Sequence, residues 1–313
     1  MIDITIKNFE SELIQASARA PVLLDIWAPW CGPCKTLSPV LEKLEREYAG
    51  RFTLAKLNSD EQPEIAGQLS QAFGVRSIPF CVLFDQGQPI DGFVGAQPEA
   101  QIRQFLDRHV PSSEDAQADA QAEEAEALEA EGDTEAALAK LQQAVAVAPG
   151  NDGARCDYVK LLIELKRLPQ ARTAYEPIAG KAALDGRIGA LGLWLDACEQ
   201  APTLRSADTL RSAIAANKRD FDARFQLAQG HFAAGRFTDA MDELLEIVMR
   251  DKQWNEQLAR RTYVAILELM SKPAPKAAPE AAKGALEVTS RPTAAPSDPV
   301  VDQYRRKLSM ALF

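Results

Sequence analysis

Two of the five cysteines stand two residues apart in Trp30-Cys31-Gly32-Pro33-Cys34-Lys35, directly after an apolar run and before a helical pattern. At that spacing on a helix start the sulfurs can close a small disulfide ring. The first sulfur sits where unpaired backbone N–H groups and the helix dipole favour a thiolate. Pro33 has no N–H to lose in a first turn, and its rigidity holds the sulfurs in register. The chemistry is thiol–disulfide exchange. Metal binding is the rival for such a pair, but zinc wants four ligands. The two histidines, His109 and His231, lie far off and there is no second close Cys pair, so no metal is expected. Cys156 and Cys198 fall in predicted helices without close partners and read as packing residues. Cys81, two residues beyond Pro79, points to the same side of its strand as that proline. It reads either as a third redox-sensitive thiol or, by the ordinary habit of buried strand cysteines, as an inert small hydrophobe.

Positioning the pair falls to residues 1 to about 110. Val22–Trp27, Phe52–Leu57 and Phe80–Phe84 are short apolar runs bounded by Pro, Gly, Asn or Asp, the pattern of buried strands. Helical patterns lie between and after them at about 34–49, 61–73 and 98–108. Strands alternating with helices predict an α/β layer fold around a central sheet.

After Pro111 the composition shifts to Ala, Glu and Gln, aromatics vanish until Tyr158, and strand signals do not return. A period of about 34 residues emerges. Ala137, Leu141, Ala144 and Pro149 mark the second helix of one hairpin, with Ala125 and Leu128 on its first. Val159, Leu162, Ala171, Tyr175 and Ile178 repeat the frame, and Leu227, Ala228, Ala240, Leu244 and Ile247 repeat it again around Ala234-Gly235-Arg236. These units resemble tetratricopeptide (TPR) repeats, in which small residues let paired helices approach and each hairpin buries its face on a neighbour. Residues 186–217 fit the frame poorly, and an irregular helical bundle would show the same periodicity. From 271 to 299 the chain is rich in Pro and Ala and reads as a loop or tether. Residues 300–313 regain helical spacing, with Val301, Tyr304, Leu308 and Leu312 along one side and Arg305, Arg306 and Lys307 together.

Lys+Arg number 35 against Asp+Glu 45, a net charge of −10. The ten acids between Arg108 and Lys140, where Lys and Arg are absent, equal that surplus. They mark 111–120 as an acidic, solvated linker running into the first repeat helix. Nucleic acid is an unexpected partner because no basic cluster exists beyond Arg305-Arg306-Lys307. A membrane is unexpected because no run reaches 18 apolar residues. Sparse, odd-numbered cysteines suggest a reducing compartment, and the N-terminus lacks the n- and h-regions of a secretion signal. The expectation is a cytoplasmic protein.

The first 110 residues resemble thioredoxin. That resemblance implies roles position by position. Cys31 and Cys34 are the redox pair, with Trp30, Gly32 and Pro33 around it on the substrate side. Asp25 matches the buried carboxylate that exchanges protons during thiol exchange, and Lys56 the strand lysine near it. Ile78-Pro79 matches the cis-proline loop that pairs with substrate backbone, and Gly95 the glycine that keeps the substrate groove open. The implied fold class is an α/β thioredoxin fold at 1–110, followed by an all-α TPR-like helical repeat domain at 121–270. No cofactor is implied.

The domain order and the final residues Asp298–Phe313 resemble the bacterial chaperedoxin family of thioredoxin-like co-chaperones. This implies unfolded or oxidised client proteins as partners and transfer of clients to the GroEL-type chaperonin. Contact would run through the C-terminal helix, at Tyr304, Arg305, Arg306, Leu308 and Leu312. Thioredoxin reductase or glutathione is the implied recycling partner. Some members lack the first cysteine, whereas this chain keeps both, which favours reductase chemistry. Two other readings stand beside a redox-active co-chaperone: a plain protein-disulfide reductase whose helical half selects substrates, and a non-catalytic scaffold. The last helix has its own alternative, since an amphipathic end can fold back to cap the final repeat.

Overall fold

The computed structural model describes residues 2–271 and 298–312. It divides into two compact units, one reaching Ala116 and the other starting at Gln117 and including the C-terminal helix. The expected tether at 271–299 lies almost wholly outside the described residues.

The first unit is a five-stranded sheet with helices around it. Its strands are β1 (Ile2–Asp3), β2 (Val22–Trp27), β3 (Thr53–Asn58), β4 (Phe80–Asp85) and β5 (Gln88–Val94), in the spatial order β1-β3-β2-β4-β5. β3 runs parallel to both β1 and β2, while β4 is antiparallel to β2 and β5. Its α-helices are α1 (Gly32–Glu47), α2 (Pro63–Ala72) and α3 (Glu99–His109), and a π-helix, Glu10–Gln15, lies between β1 and β2. Strands β2 and β4 are buried on both faces, which is why they read as unbroken apolar runs. Leu24, Ile26, Val82 and Phe84 pack on one face with Ile65 and Phe73. Leu23, Cys81 and Leu83 pack on the other with Leu37, Leu41, Leu44 and Phe105.

Two strands escaped the sequence patterns. β1 has only two residues. β5 is an edge strand that is nowhere fully buried and carries Pro89, a residue tolerated where no ladder donor is needed. It follows β4 through Gln86-Gly87, both left-handed as a two-residue hairpin turn requires.

The second unit is helical: α4 (Ser113–Glu131), α5 (Thr134–Val147), α6 (Asp152–Glu164), α7 (Leu168–Tyr175), α8 (Gly186–Gln200), α9 (Ala207–Ala216), α10 (Phe221–Ala233), α11 (Phe237–Arg250), α12 (Trp254–Met270) and α13 (Pro299–Leu312). Three hairpins, α4/α5, α6/α7 and α10/α11, each reverse through one left-handed residue: Gly132, Lys166 and Gly235. Most of the frame residues are buried, including Ala125, Ala137, Leu141, Val159, Leu162, Ala171, Ala228, Ala240 and Leu244, while Leu128 is half-buried and Pro149 exposed.

Helix α8 explains the poor fit near 186–217. Ile188, Ala190, Leu191, Trp194, Leu195 and Cys198 are all buried, so the helix is apolar around most of its circumference instead of along one stripe. It packs against α6, α10 and α12.

The acidic stretch expected as a linker at 111–120 is helical from Ser113 onward. Ser112 Oγ accepts from Asp115 N at 3.0 Å, and Glu114 and Asp115 sit in the first turn, where the dipole favours negative charge. Within the second unit Ala118 packs on Ala144, Ala148 and Ala154, a small-residue contact that brings helices close.

The C-terminal helix α13 lies on α11 and α12. Val301, Tyr304 and Leu308 are buried in the second unit's core. Tyr263 Oη donates to Tyr304 O at 2.8 Å, and Lys252 Nζ donates to Leu312 O at 2.8 Å. Lys307 Nζ reaches Asp242 at 3.1 Å and lies 4.1 Å from the Tyr304 ring centroid. In this position α13 caps the array.

Candidate active site

The strand register assembles the site's buried half. Asp25 on β2 stands opposite Lys56 on β3 and opposite Cys81 on β4, so three polar residues lie side by side across the middle of the sheet. Asp25 is wholly buried and Lys56 nearly so. Burial pushes the Asp25 carboxyl up to about 6. The Lys56 ammonium, the Cys81 thiol and the Ser38 hydroxyl pull it down by less, while Glu42 adds to the rise. Lys56 Nζ pairs with Glu42 Oε1 at 2.8 Å. The Cys81 thiol donates to Asp25 Oδ1 at 3.7 Å, and Oδ2 has no hydrogen-bond partner in the protein.

The redox pair is oxidised to a Cys31–Cys34 disulfide at the start of α1. Cys31 is the N-cap, and its Sγ accepts from Cys34 N at 3.2 Å. The same N–H is placed to stabilise a Cys31 thiolate once the pair is reduced. Both sulfurs belong to nearly buried residues, packed with Ala28 and flanked by Trp27 and Ile78.

Around the pair the surface is open. Trp30 is 70% exposed, its Nε1 donating to Asp60 Oδ2 at 3.0 Å. Gly32 and Pro33 are exposed. The Ile78-Pro79 peptide is cis; Ile78 packs against the cysteine pair, and Pro79 immediately precedes β4. Gly95 N donates to Pro79 O at 2.8 Å, and a Cβ at Gly95 would meet nothing within 4 Å.

The structure brings Cys31, Cys34, Asp25, Lys56, Trp30, Gly32, Pro33, Ile78, Pro79 and Gly95 into the first unit. The five C-terminal residues expected to meet a partner belong to the second. Tyr304 and Leu308 are buried and Leu312 is half-buried, because the side they share is the side that packs on the array. Arg305 and Arg306 are exposed, with Arg305 donating to Ser271 Oγ at 2.9 Å.

Sequence reasoning missed Ser38 and Glu42. They follow Cys34 at successive four-residue steps on α1, a spacing that sets all three along one helix face and could have flagged them. Among the described residues no group of three His, Cys, Asp or Glu is arranged to hold a metal. No described helix is long and apolar enough to cross a membrane.

Comparison with known proteins gives matches in both units. The Thioredoxin family matches residues 1–108, and Tetratricopeptide repeat families match 128–192 and 200–283. Thioredoxin 1 of Nostoc sp. is 39% identical over 107 residues, covering 34% of this chain and 94% of that protein. The thioredoxin of Chlorobaculum thiosulfatiphilum is 44% identical over 106 residues, 34% of this chain and 93% of its own. That of Haemophilus influenzae is 41% identical over 105 residues, 34% and 94% respectively.

Proposed function

Through residues 1–108 the chain belongs to the thioredoxin family, and from that premise we propose that it is a redox-active co-chaperone. In this role it binds unfolding or oxidised proteins, exchanges disulfides at Cys31 and Cys34, and passes clients to the GroEL-type chaperonin.

The observation that carries the redox half is the Cys31–Cys34 disulfide at a helix start, in the same unit as a buried carboxyl whose affinity for protons is raised toward neutrality. Cys31 thiolate attacks one sulfur of a client disulfide. The client S–S bond breaks, one client sulfur leaves as a thiolate, and a mixed disulfide with Cys31 remains. Cys34, its proton passed to Asp25 through water, attacks Cys31 Sγ. The Cys31–Cys34 bond forms, and the second client sulfur leaves. The client gains two electrons and, from solvent, two protons. Thioredoxin reductase or glutathione then returns the pair to its dithiol.

The co-chaperone half is supported by a repeat array that offers a protein-binding surface beside no second reaction centre among the described residues, and by the ending Asp298–Phe313. The test is a Cys34→Ser trap in the full chain. It should accumulate mixed disulfides at Cys31, and mass spectrometry of captured partners should find unfolding proteins, with chaperonin co-purifying through the helical unit. Capture of folded disulfide proteins without chaperonin would leave a plain disulfide reductase; no covalent partners at all would overturn the redox reading.

A further inference from the structure

Three cysteines stay free of the disulfide: Cys81, Cys156 and Cys198. Cys198 donates its thiol to the Ala233 carbonyl at 3.4 Å, a contact within the helical core. Cys81 makes a different contact. The antiparallel register sets it directly opposite Asp25, both residues are wholly buried, and its Sγ lies 3.7 Å from Oδ1. The other carboxyl oxygen, Oδ2, is equally buried and has no protein hydrogen bond. The two oxygens of the proton-exchanging carboxyl are therefore inequivalent, one engaged by a thiol and one bare.

We propose that Cys81 is a positioning residue for the thiol–disulfide exchange: by donating its S–H to Oδ1 it fixes the Asp25 carboxylate and leaves Oδ2 as the oxygen that takes the Cys34 proton. This role rests on the redox reading above. A thiol beside a carboxylate in a buried site cannot ionise without setting two negative charges together at low dielectric. Burial and the Asp25 charge push the Cys81 pKa well above its ordinary value, which keeps it a donor and withholds it from nucleophilic chemistry. In the resolving step the proton moves from Cys34 Sγ through water to Oδ2. The freed electron pair forms the Cys34–Cys31 bond, the bond from Cys31 to the client sulfur breaks, and the client thiolate takes a proton from water. The hydrogen bond to Oδ1 persists throughout.

The other groups facing Asp25 are Lys56 from β3 and Ser38 and Glu42 from α1. Lys56 is itself engaged by Glu42, and the thiol is the neutral side chain hydrogen-bonded to the carboxylate.

The experiment is a titration of the Asp25 carboxyl carbon by 13C NMR in the reduced full-length chain, for wild type, Cys81→Ala and Cys81→Ser. It is run alongside the pH profile for resolution of a mixed disulfide preformed at Cys31. Loss of a donor to the charged form should raise the Cys81→Ala midpoint by about half a pH unit or more, and move the resolution profile the same way. Cys81→Ser, which restores a donor, should bring both back to wild type or below. A Cys81→Ala midpoint equal to wild type, or a Cys81→Ser midpoint equal to that of Cys81→Ala, would overturn the role, since lost packing alone predicts no rescue. The NMR titration needs no turnover. A chain that titrates as expected but resolves no mixed disulfide therefore overturns the redox reading, and the catalytic role with it, separately from the contact.

Discussion

Burial raises the Asp25 carboxyl to about 6 because the penalty on its charged form exceeds what Lys56, Cys81 and Ser38 return. A carboxyl whose folded pKa lies above its unfolded value takes up its proton more readily in the native state. At pH 7 both states are ionised, and the native state carries the full cost of the buried charge. As pH falls from about 6 toward 4 the native state binds the proton first and the cost fades. Asp25→Asn should therefore stabilise the oxidised protein at pH 7 by about 3 kcal/mol, the worth of a two-unit shift, with no gain below pH 4. Urea unfolding at pH 4 and pH 7 checks this; a gain that does not change with pH would show that ionisation is not its source. Asp25 and Lys56 were legible in the sequence only through the resemblance to thioredoxin, since a lysine on a strand taken alone usually faces solvent. Glu42 was not, since a glutamate on an amphipathic helix reads as solvent-facing until its ion pair with Lys56 is seen.

At the scale of elements, β4 and its partner β5 decide how firmly Cys81 is held. Gly92 on β5 faces β4 so closely that a Cβ there would stand 2.7 Å from the Cys81 carbonyl oxygen and 3.6 Å from the Val82 Cα. Backbone atoms of a central strand have little freedom to give way. Gly92→Ala should destabilise the first unit by about 2 kcal/mol, as overpacking does, measured by denaturant unfolding with the slope unchanged. Stability within about 0.5 kcal/mol of wild type would mean that the edge strand moves aside freely. Elements with a strong local pattern, β2, β4 and α1, were visible in the sequence. β5 was hidden because an exposed edge carrying Pro89 shows no alternation, and α8 because a helix buried on most sides shows no stripe. The acidic run at 111–120 misled for a related reason: like charges suggested a connector, while alanine's helix propensity and the Ser112 cap carried the segment into α4.

At the scale of the whole molecule, the C-terminal helix must serve the array before it can serve a partner. Its helical spacing was legible, but periodicity shows only which side is apolar, not what covers it. In the structure α11 and α12 cover it, through Val301, Tyr304 and Leu308. Exposing three such side chains costs on the order of 5 kcal/mol. A partner that had to peel the helix away would see its affinity reduced by that amount, a factor of thousands. Contact with the outer side, where Arg305, Arg306 and Met310 are exposed, carries no such cost. The co-chaperone reading therefore predicts that Arg305→Glu with Arg306→Glu abolishes chaperonin capture while thermal unfolding of the helical unit stays put. Tyr304→Ala should lower the unfolding temperature, because it empties a buried site and removes the ring beside Lys307, yet spare capture by the molecules that remain folded. Pull-down with purified chaperonin, read beside calorimetry of the same variants, separates the two effects. Capture that survives the double charge reversal but fails in Tyr304→Ala would show that the helix leaves the array to dock.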